Sequence, residues 1–353
     1  MKARRVARVL AWVFLFLLAV YGAAFAAFGD VRYLTRAAVA EADILRRRHP
    51  IVEAINDSTT DPATRGKLLL VLAARAYAES ALALAAGETF TTYAALPRDT
   101  LVLVLSAARS DTLAAYTWNY PVVGRMPYRG FFSLDLAQAE AAKLERAGLD
   151  TYMRPASAFS TLGWFNDPLR STTLKTDSAD LAATVIHEIL HNTLFIKGHV
   201  DFNESFAEFV GYRGAEAFFR GRGDSANAVR AALRWQDVRR LADFYEDLAR
   251  RLDRLYASGA MPDEIRRARG DLFRGARDRM AGPLAADLKT IDGKRLAERP
   301  LNNAVLLSLR VYGSGLDRFD SLLVAQGGDL RRAIAVMKER TAGGGDPWEA
   351  LKD

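Results

Sequence analysis

Three of the chain's four histidines, His187, His191 and His199, fall within thirteen residues, and two of them bracket a glutamate in the run His187-Glu188-Ile189-Leu190-His191. Positions four apart on a helix stand one turn above each other on one face, so both imidazoles can converge on a single ion. Glu188 directly follows the first histidine, which sets its carboxylate beside such an ion. The chemistry this supports is water activation: two histidines hold zinc while the carboxylate takes a proton from the water that the ion polarises. The surrounding Ala182-Ala183-Thr184-Val185-Ile186 and Ile189-Leu190 describe a core-facing helix. Histidine and glutamate are costly there unless paired or ligating.

A catalytic zinc usually takes three protein ligands and leaves another position open. Glu204 is the leading candidate for the third, with Glu208 and either His199 or Asp201 as rivals. Asp201-Phe202-Asn203 reads as a helix start that puts Glu204 in the first turn, and Lys197-Gly198 supplies a turn that lets this helix fold back. Phe206, Phe209 and Val210 can then pack on the histidine helix. With Glu204 as ligand, Glu208 can accept the second N–H of a ligand histidine; otherwise it is an ordinary solvated carboxylate.

The histidine helix taken with Asn203-Glu204-Ser205-Phe206-Ala207 resembles the gluzincin group of zinc metallopeptidases, whose third ligand is a glutamate on a following helix. A closer resemblance, to a bacterial family described as predicted aminopeptidases, is carried by Ser160 through Leu169, by Tyr128-Arg129-Gly130-Phe131-Phe132 and by Phe202 through Gly211. It runs loosely from about residue 30 to the C-terminus. The resemblance implies one Zn2+ ion on His187, His191 and Glu204, Glu188 as general base, and a peptide substrate cleaved from its amino end. Two features depart from the pattern. The interval from His191 to Glu204 is shorter than in well-studied aminopeptidases with the asparagine-glutamate signature, and Phe159 stands where the closer family is expected to carry tyrosine.

Lys2, Arg4, Arg5 and Arg8 precede an uninterrupted apolar run from Val9 to Phe28, long enough to cross a bilayer as a helix. The positive flank stays in the cytoplasm, which puts the catalytic part outside it, in the periplasm or at the cell exterior, anchored to the lipid bilayer. Ala24-Phe25-Ala26 also resembles a cleavage site, and a signal segment removed after export is the alternative. The absence of cysteine rules out disulfides, thiolate nucleophiles and cysteine-ligated metal. A net charge of +7 is modest for 353 residues. Arg230, Arg234, Arg239 and Arg240 alternate with Asp237, Asp243, Glu246 and Asp247 as on a solvated helix face. No concentrated basic stripe suggests nucleic acid. The sequence assigns no oligomeric state.

These residues require a scaffold. Helices are expected over 31–49 and about 64–84, with His49 near the first helix's end as an ordinary surface histidine. Strand-like or β-prone stretches follow at Leu101–Leu105, Tyr116–Tyr120, Tyr128–Phe132 and Thr151–Met153, with a helix over about 135–147 among them. Every strong pattern after Asp177 is helical. The expected fold is α+β: a mostly helical, zincin-like unit with a small sheet, preceded by a transmembrane helix. It divides into a segment 1–29, a portion 30–202 holding the sheet and the histidine helix, and a helical portion 203–353 that supplies the third ligand and one side of the cleft. A strand beside the histidine helix can pair with an extended peptide. Tyr128, Tyr152, Tyr212 and His199 are candidate donors to the developing oxyanion. Trp164-Phe165-Asn166-Asp167-Pro168 reads as a pocket wall or as a plug beneath the helix. The lead function is a zinc peptidase, an aminopeptidase ahead of an endopeptidase with a groove open at both ends. A noncatalytic membrane-anchored metal-binding module is the competitor, in which Glu188 would have no use.

Overall fold

The computed structural model describes residues 2–96, 102–120, 124–131, 133–156 and 168–352. The first helix, α1 (Lys2–Ala27), includes Arg4–Ala27, the one stretch among the described residues long and apolar enough to cross a membrane, with a mean hydropathy of 2.4 and none of it buried. The chain bends at Phe28, and α2 (Gly29–Arg47) folds back on it. The hydroxyls of Tyr21 and Thr35 meet at 2.6 Å, and Arg32 donates to the carbonyls of Phe25 and Ala26.

Next come β1 (Arg48–Pro50), α3 (Ile51–Asn56) and α4 (Pro62–Ser80). Asp61 caps α4 by accepting from the Thr64 N–H, with Pro62 in the first turn where its missing N–H is harmless. The helix stops short of Leu84 because Ala83 adopts φ 55°, in the left-handed region. The middle of the chain carries β2 (Thr92–Ala94), β3 (Val102–Arg109), β4 (Trp118–Tyr120), β5 (Gly124–Met126), β6 (Tyr128–Phe131), α5 (Leu134–Arg146), β7 (Leu149–Ala156) and β8 (Leu169–Arg170).

Among the described residues these strands form three small sheets. In one, β2 pairs antiparallel with β1 and parallel with β8; in another, β3 lies between β6 and β7, antiparallel to both; β4 and β5 make a ribbon. The two- and three-residue strands are too short to leave a period-2 signal. The second sheet matters most for the site. Its residues Leu105, Ala107, Phe131, Leu149 and Met153 pack with Ala141 and Leu144 of α5. The alternate residues take the opposite face, where the register aligns Tyr128 with Ser106 and Tyr152, and Gly130 with Val104 and Arg154.

From Asp177 the described chain is helical: α6 (Ser178–Thr193), α7 (Val200–Gly221), α8 (Ser225–Tyr256), α9 (Pro262–Ala281), α10 (Pro283–Asp287), α11 (Gly293–Ala297), α12 (Asn303–Arg310), α13 (Leu316–Ala325) and α14 (Leu330–Thr341). The main core joins α4, α6 and α7 to parts of α8, α13 and α14, and its densest part is aromatic. Phe202, Phe206 and Phe209, on one face of α7, surround Phe319, and Trp235 closes on Phe209. The three central helices are also tied by charge. Arg234 of α8 forks onto Asp180 in the first turn of α6 at 2.9 and 2.6 Å, and the Tyr212 hydroxyl of α7 donates to the same carboxylate at 3.3 Å. Charge-assisted, two-pronged bonds of this kind fix relative helix position better than apolar packing does.

Candidate metal centre

Helix α6 buries Val185, Ile186, Ile189 and Leu190 and leaves Thr184, His187, Glu188 and His191 along a half-buried stripe. Helix α7 does the same, burying Phe202, Phe206, Phe209 and Val210 and leaving Asp201, Glu204 and Glu208 on its half-buried side. The two helices run against each other with little space between them. A Cβ on Gly211 would lie 2.7 Å from the Ala183 carbonyl oxygen and 3.3 Å from His187 Cβ. No rotamer change relieves a clash with backbone. Gly211→Ala is therefore expected to cost about 1–3 kcal/mol of stability and to weaken metal binding, since it wedges the helices apart beside His187. Urea denaturation and a metal titration of the variant check both effects.

The stripes bring His187, His191 and Glu204 together. Their donor atoms lie within 4.8 Å of one another, and no other such group of three or more occurs among the described residues. The two Nε2 atoms are 3.2 Å apart, and Glu204 oxygens approach them at 3.4 Å (His187) and 3.8 Å (His191). Two donors each about 2.1 Å from a tetrahedral ion stand about 3.4 Å apart, so these edges suit an ion such as zinc. The donor set, two imidazoles and one carboxylate, suits it chemically as well. The rings are nearly perpendicular, at 84°. Glu208 Oε2 lies 3.4 Å from Nδ1 of His187, on the far side of the ring from Glu204. His191 Nδ1 is buried with no hydrogen-bond partner.

Electrostatics reflect the crowding. Burial alone favours the neutral His187 ring, but contact with Glu204 and Glu208 and the charge of Glu188 outweigh it and raise its pKa to about 10. Burial and the charge on His187 lower His191 to about 4, against the pull of Glu204. For Glu204, burial is outweighed by His187, with help from His191 and Arg154, and its carboxyl is held below the usual range. The cluster thus gathers opposite charges in a space that water enters poorly.

The neighbours of Glu204 have separate structural work. Asn203, 3% exposed, does not cap the helix: its amide donates to the Ile196 carbonyl at 2.8 Å and accepts from the Ile196 N–H at 2.9 Å. This two-way clamp fixes the turn between the helices. Helix α7 itself begins at Val200, a residue earlier than Asp201, so Glu204 lies beyond its first turn. Ser205, fully buried, donates to the Val311 carbonyl and accepts from the Ser314 N–H, pinning the loop that carries Tyr312.

Tyr312 was not evident in the sequence as a site residue. Burial and the charges of Glu204, Glu188 and Glu208, with Arg154 opposing, push its phenol pKa up, which keeps its O–H available as a donor. Tyr128 is raised for the same reasons, burial first and then Glu204 and Tyr33. Arg154 shares the sheet face of Tyr128 and is likewise absent from the sequence reading. These residues reach the site through strand register and a loop over one hundred residues beyond Glu204, and no local pattern reports that. Of the other oxyanion candidates, Tyr212 is engaged with Asp180 and Tyr152 packs into the cluster around Phe244 and Leu248. The rivals for the third ligand lie outside the three-residue group: Asp201 accepts from the Trp348 indole at 3.3 Å, and Glu208 meets His187 at Nδ1. His49 stacks edge-on against Tyr93, away from the cluster. Phe159 and Ser160 through Asp167, including most of the Trp164–Pro168 segment, lie outside the described residues.

No curated protein and no solved structure matches the chain. A family model described as "Putative aminopeptidase" does match it, over residues 32–343. That span takes in both helices that carry His187, His191 and Glu204, as well as Arg154 and Tyr312, and the chain belongs to this family.

Proposed function

We propose that the chain is a zinc-dependent peptidase, of zincin-like fold and gluzincin type, that releases residues from the amino end of peptides. The observation that carries this reading is the convergence of His187, His191 and Glu204 at tetrahedral spacing, with Glu188 next in sequence to the first of them. His187, His191 and Glu204 would hold the ion. Zinc bound there supplies Lewis acidity, which acidifies water and polarises a carbonyl.

The remaining steps belong to the chain's own groups. Glu188 takes a proton from the attacking water as the water oxygen bonds to the scissile carbonyl carbon. As the C–N bond breaks, the same carboxyl returns that proton to the departing nitrogen. Tyr312 and Tyr128 keep their phenol protons and can donate to the oxyanion. Glu208 accepts from Nδ1 of His187, which leaves Nε2 free as the ligand atom. Among the described residues β6 and β7 are the outer strands of their sheet, and an extended peptide can lie on such an edge. Residues 30–202 and 203–353 would form the two sides of the cleft. With α1 spanning the membrane and its basic flank in the cytoplasm, the cleft lies outside.

The family description favours an exopeptidase over an endopeptidase. The full-length protein, zinc-loaded in detergent, is expected to cleave peptides with a free amino terminus and to lose at least about 100-fold in kcat/KM on the N-acetylated forms. Equal rates on both, with internal cleavage seen by mass spectrometry, would make it an endopeptidase.

A further inference from the structure

The turn between the two metal-cluster helices presents an apolar surface that the chemistry above does not use. Phe195 lies just past the end of α6, four residues after His191, and its ring meets that imidazole edge-on with centroids 6.4 Å apart and planes at 78°. It is nevertheless 62% exposed. Val200, the first residue of α7, is 54% exposed and stands four residues before Glu204, one turn below it on the same face. Phe195 thus touches one cluster residue, and Val200 stands one helical turn from another.

Single exposed apolar residues are common on protein surfaces and need no explanation. These two differ because the turn that carries them is fixed. Leu194 and Ile196, on either side of Phe195, pack against the main core, and the Asn203 amide holds both backbone groups of Ile196. Phe195 cannot retreat inward with its neighbours. A phenylalanine held in solvent against a ligand-type histidine is covered most readily by whatever lies over the cluster, and in a peptidase that is substrate. The other groups whose charges act with Glu204, namely Arg154, Tyr128 and Tyr312, are polar or charged, so an apolar side chain is better accommodated at the turn.

We propose that Phe195 and Val200 form an apolar subsite that receives the side chain of the residue flanking the scissile bond, which makes peptides with leucine, methionine or phenylalanine at that position the preferred substrate class. The subsite rests on the peptidase reading of the metal centre. Its test uses the full-length, zinc-loaded Glu188→Gln protein, in which peptide affinity is measured by calorimetry without turnover, on two tripeptide series, X-Gly-Gly and Gly-X-Gly. In one series X = Leu or Phe is expected to bind about 10-fold or more tighter than X = Ala. Adding Phe195→Ala should remove most of that preference while leaving the Ala peptide unchanged, and Phe195→Leu should keep it. Equal affinity of Leu and Ala peptides in both series overturns the subsite, as does a Phe195→Ala variant that weakens every peptide alike, which would reduce Phe195 to a support for His191. If the apolar preference is present but the protein with Glu188 intact cleaves none of the peptides, the subsite stands and the peptidase reading falls. No peptide binding at all overturns both.

Discussion

Replacing Glu188 with glutamine is expected to leave zinc bound at near one equivalent and to slow peptide hydrolysis by about 10²–10⁴-fold, the range that general acid–base catalysis contributes. A carboxylate directly after the first of two histidines four apart must project beside the site they form. In the structure Glu188 occupies the half-buried stripe of α6 with His187 and His191, and its charge acts on both His187 and Tyr312. Glutamine keeps the volume and a hydrogen-bonding tip but cannot hold a proton and release it. The loss should therefore fall on kcat, with peptide affinity retained. Metal analysis alongside single-turnover kinetics checks the separation. Normal kcat in a fully loaded Glu188→Gln protein would remove Glu188 as the base; loss of zinc would make it part of the metal-binding set.

Legibility of the site followed the range of the interactions that build it. The histidine helix is encoded locally, since apolar residues at Val185, Ile186, Ile189 and Leu190 fix its buried face and so place His187, Glu188 and His191 on the other. The strands of the sheet facing the site were also visible, within a few residues, because Val102-Leu103-Val104-Leu105 is an apolar, β-branched-rich run and the stretches at Tyr128 to Phe131 and Thr151 to Met153 are β-prone. What was not visible depends on pairing between distant segments. Asn203 reads in sequence as a helix start, yet it is buried within α7 and its amide is committed to Ile196. Ser205 has no local partner, and only the path of the loop after α12 brings Val311 and Ser314 to it and Tyr312 within reach of the charge on Glu204. Arg154 is one of many arginines in the composition until the register with Val104 and Gly130 sets it on the face opposite α5. The division of the strands among three sheets was hidden for the same reason: β1, β2 and β8 are held by bonds between distant segments, and their own sequences carry no repeat.

Glu204 and Glu208 provide the second large effect, because they touch the same imidazole through different atoms. Glu204→Ala is expected to weaken zinc binding by about 10²–10³-fold, one ligand's share of the roughly 10–16 kcal/mol that a four-ligand protein site supplies, and activity should fall with occupancy. Glu208→Ala should cost about 10–100-fold, the usual effect of removing a partner that orients a ligand histidine. Because these ranges meet, glutamine separates the roles better than alanine. At 208 an amide oxygen can still accept from Nδ1 of His187, now 3.4 Å from Oε2, so Glu208→Gln should bind zinc more tightly than Glu208→Ala. At 204 the amide replaces a charged donor facing two Nε2 atoms at 3.4 and 3.8 Å, and Glu204→Gln should remain nearly as impaired as Glu204→Ala. Competition titrations with a chromogenic chelator give all four affinities. The reverse ranking, with glutamine rescuing 204 but not 208, would exchange the two roles and move the ion to the Nδ1 side of His187. His191, whose Nε2 faces Glu204 and has no contact with Glu208, could then no longer share it without a change in the helix pair. The packing of Gly211 against Ala183 and His187 opposes such a change, so the geometry of the two helices favours the proposed ligand set with Glu204 over one with Glu208.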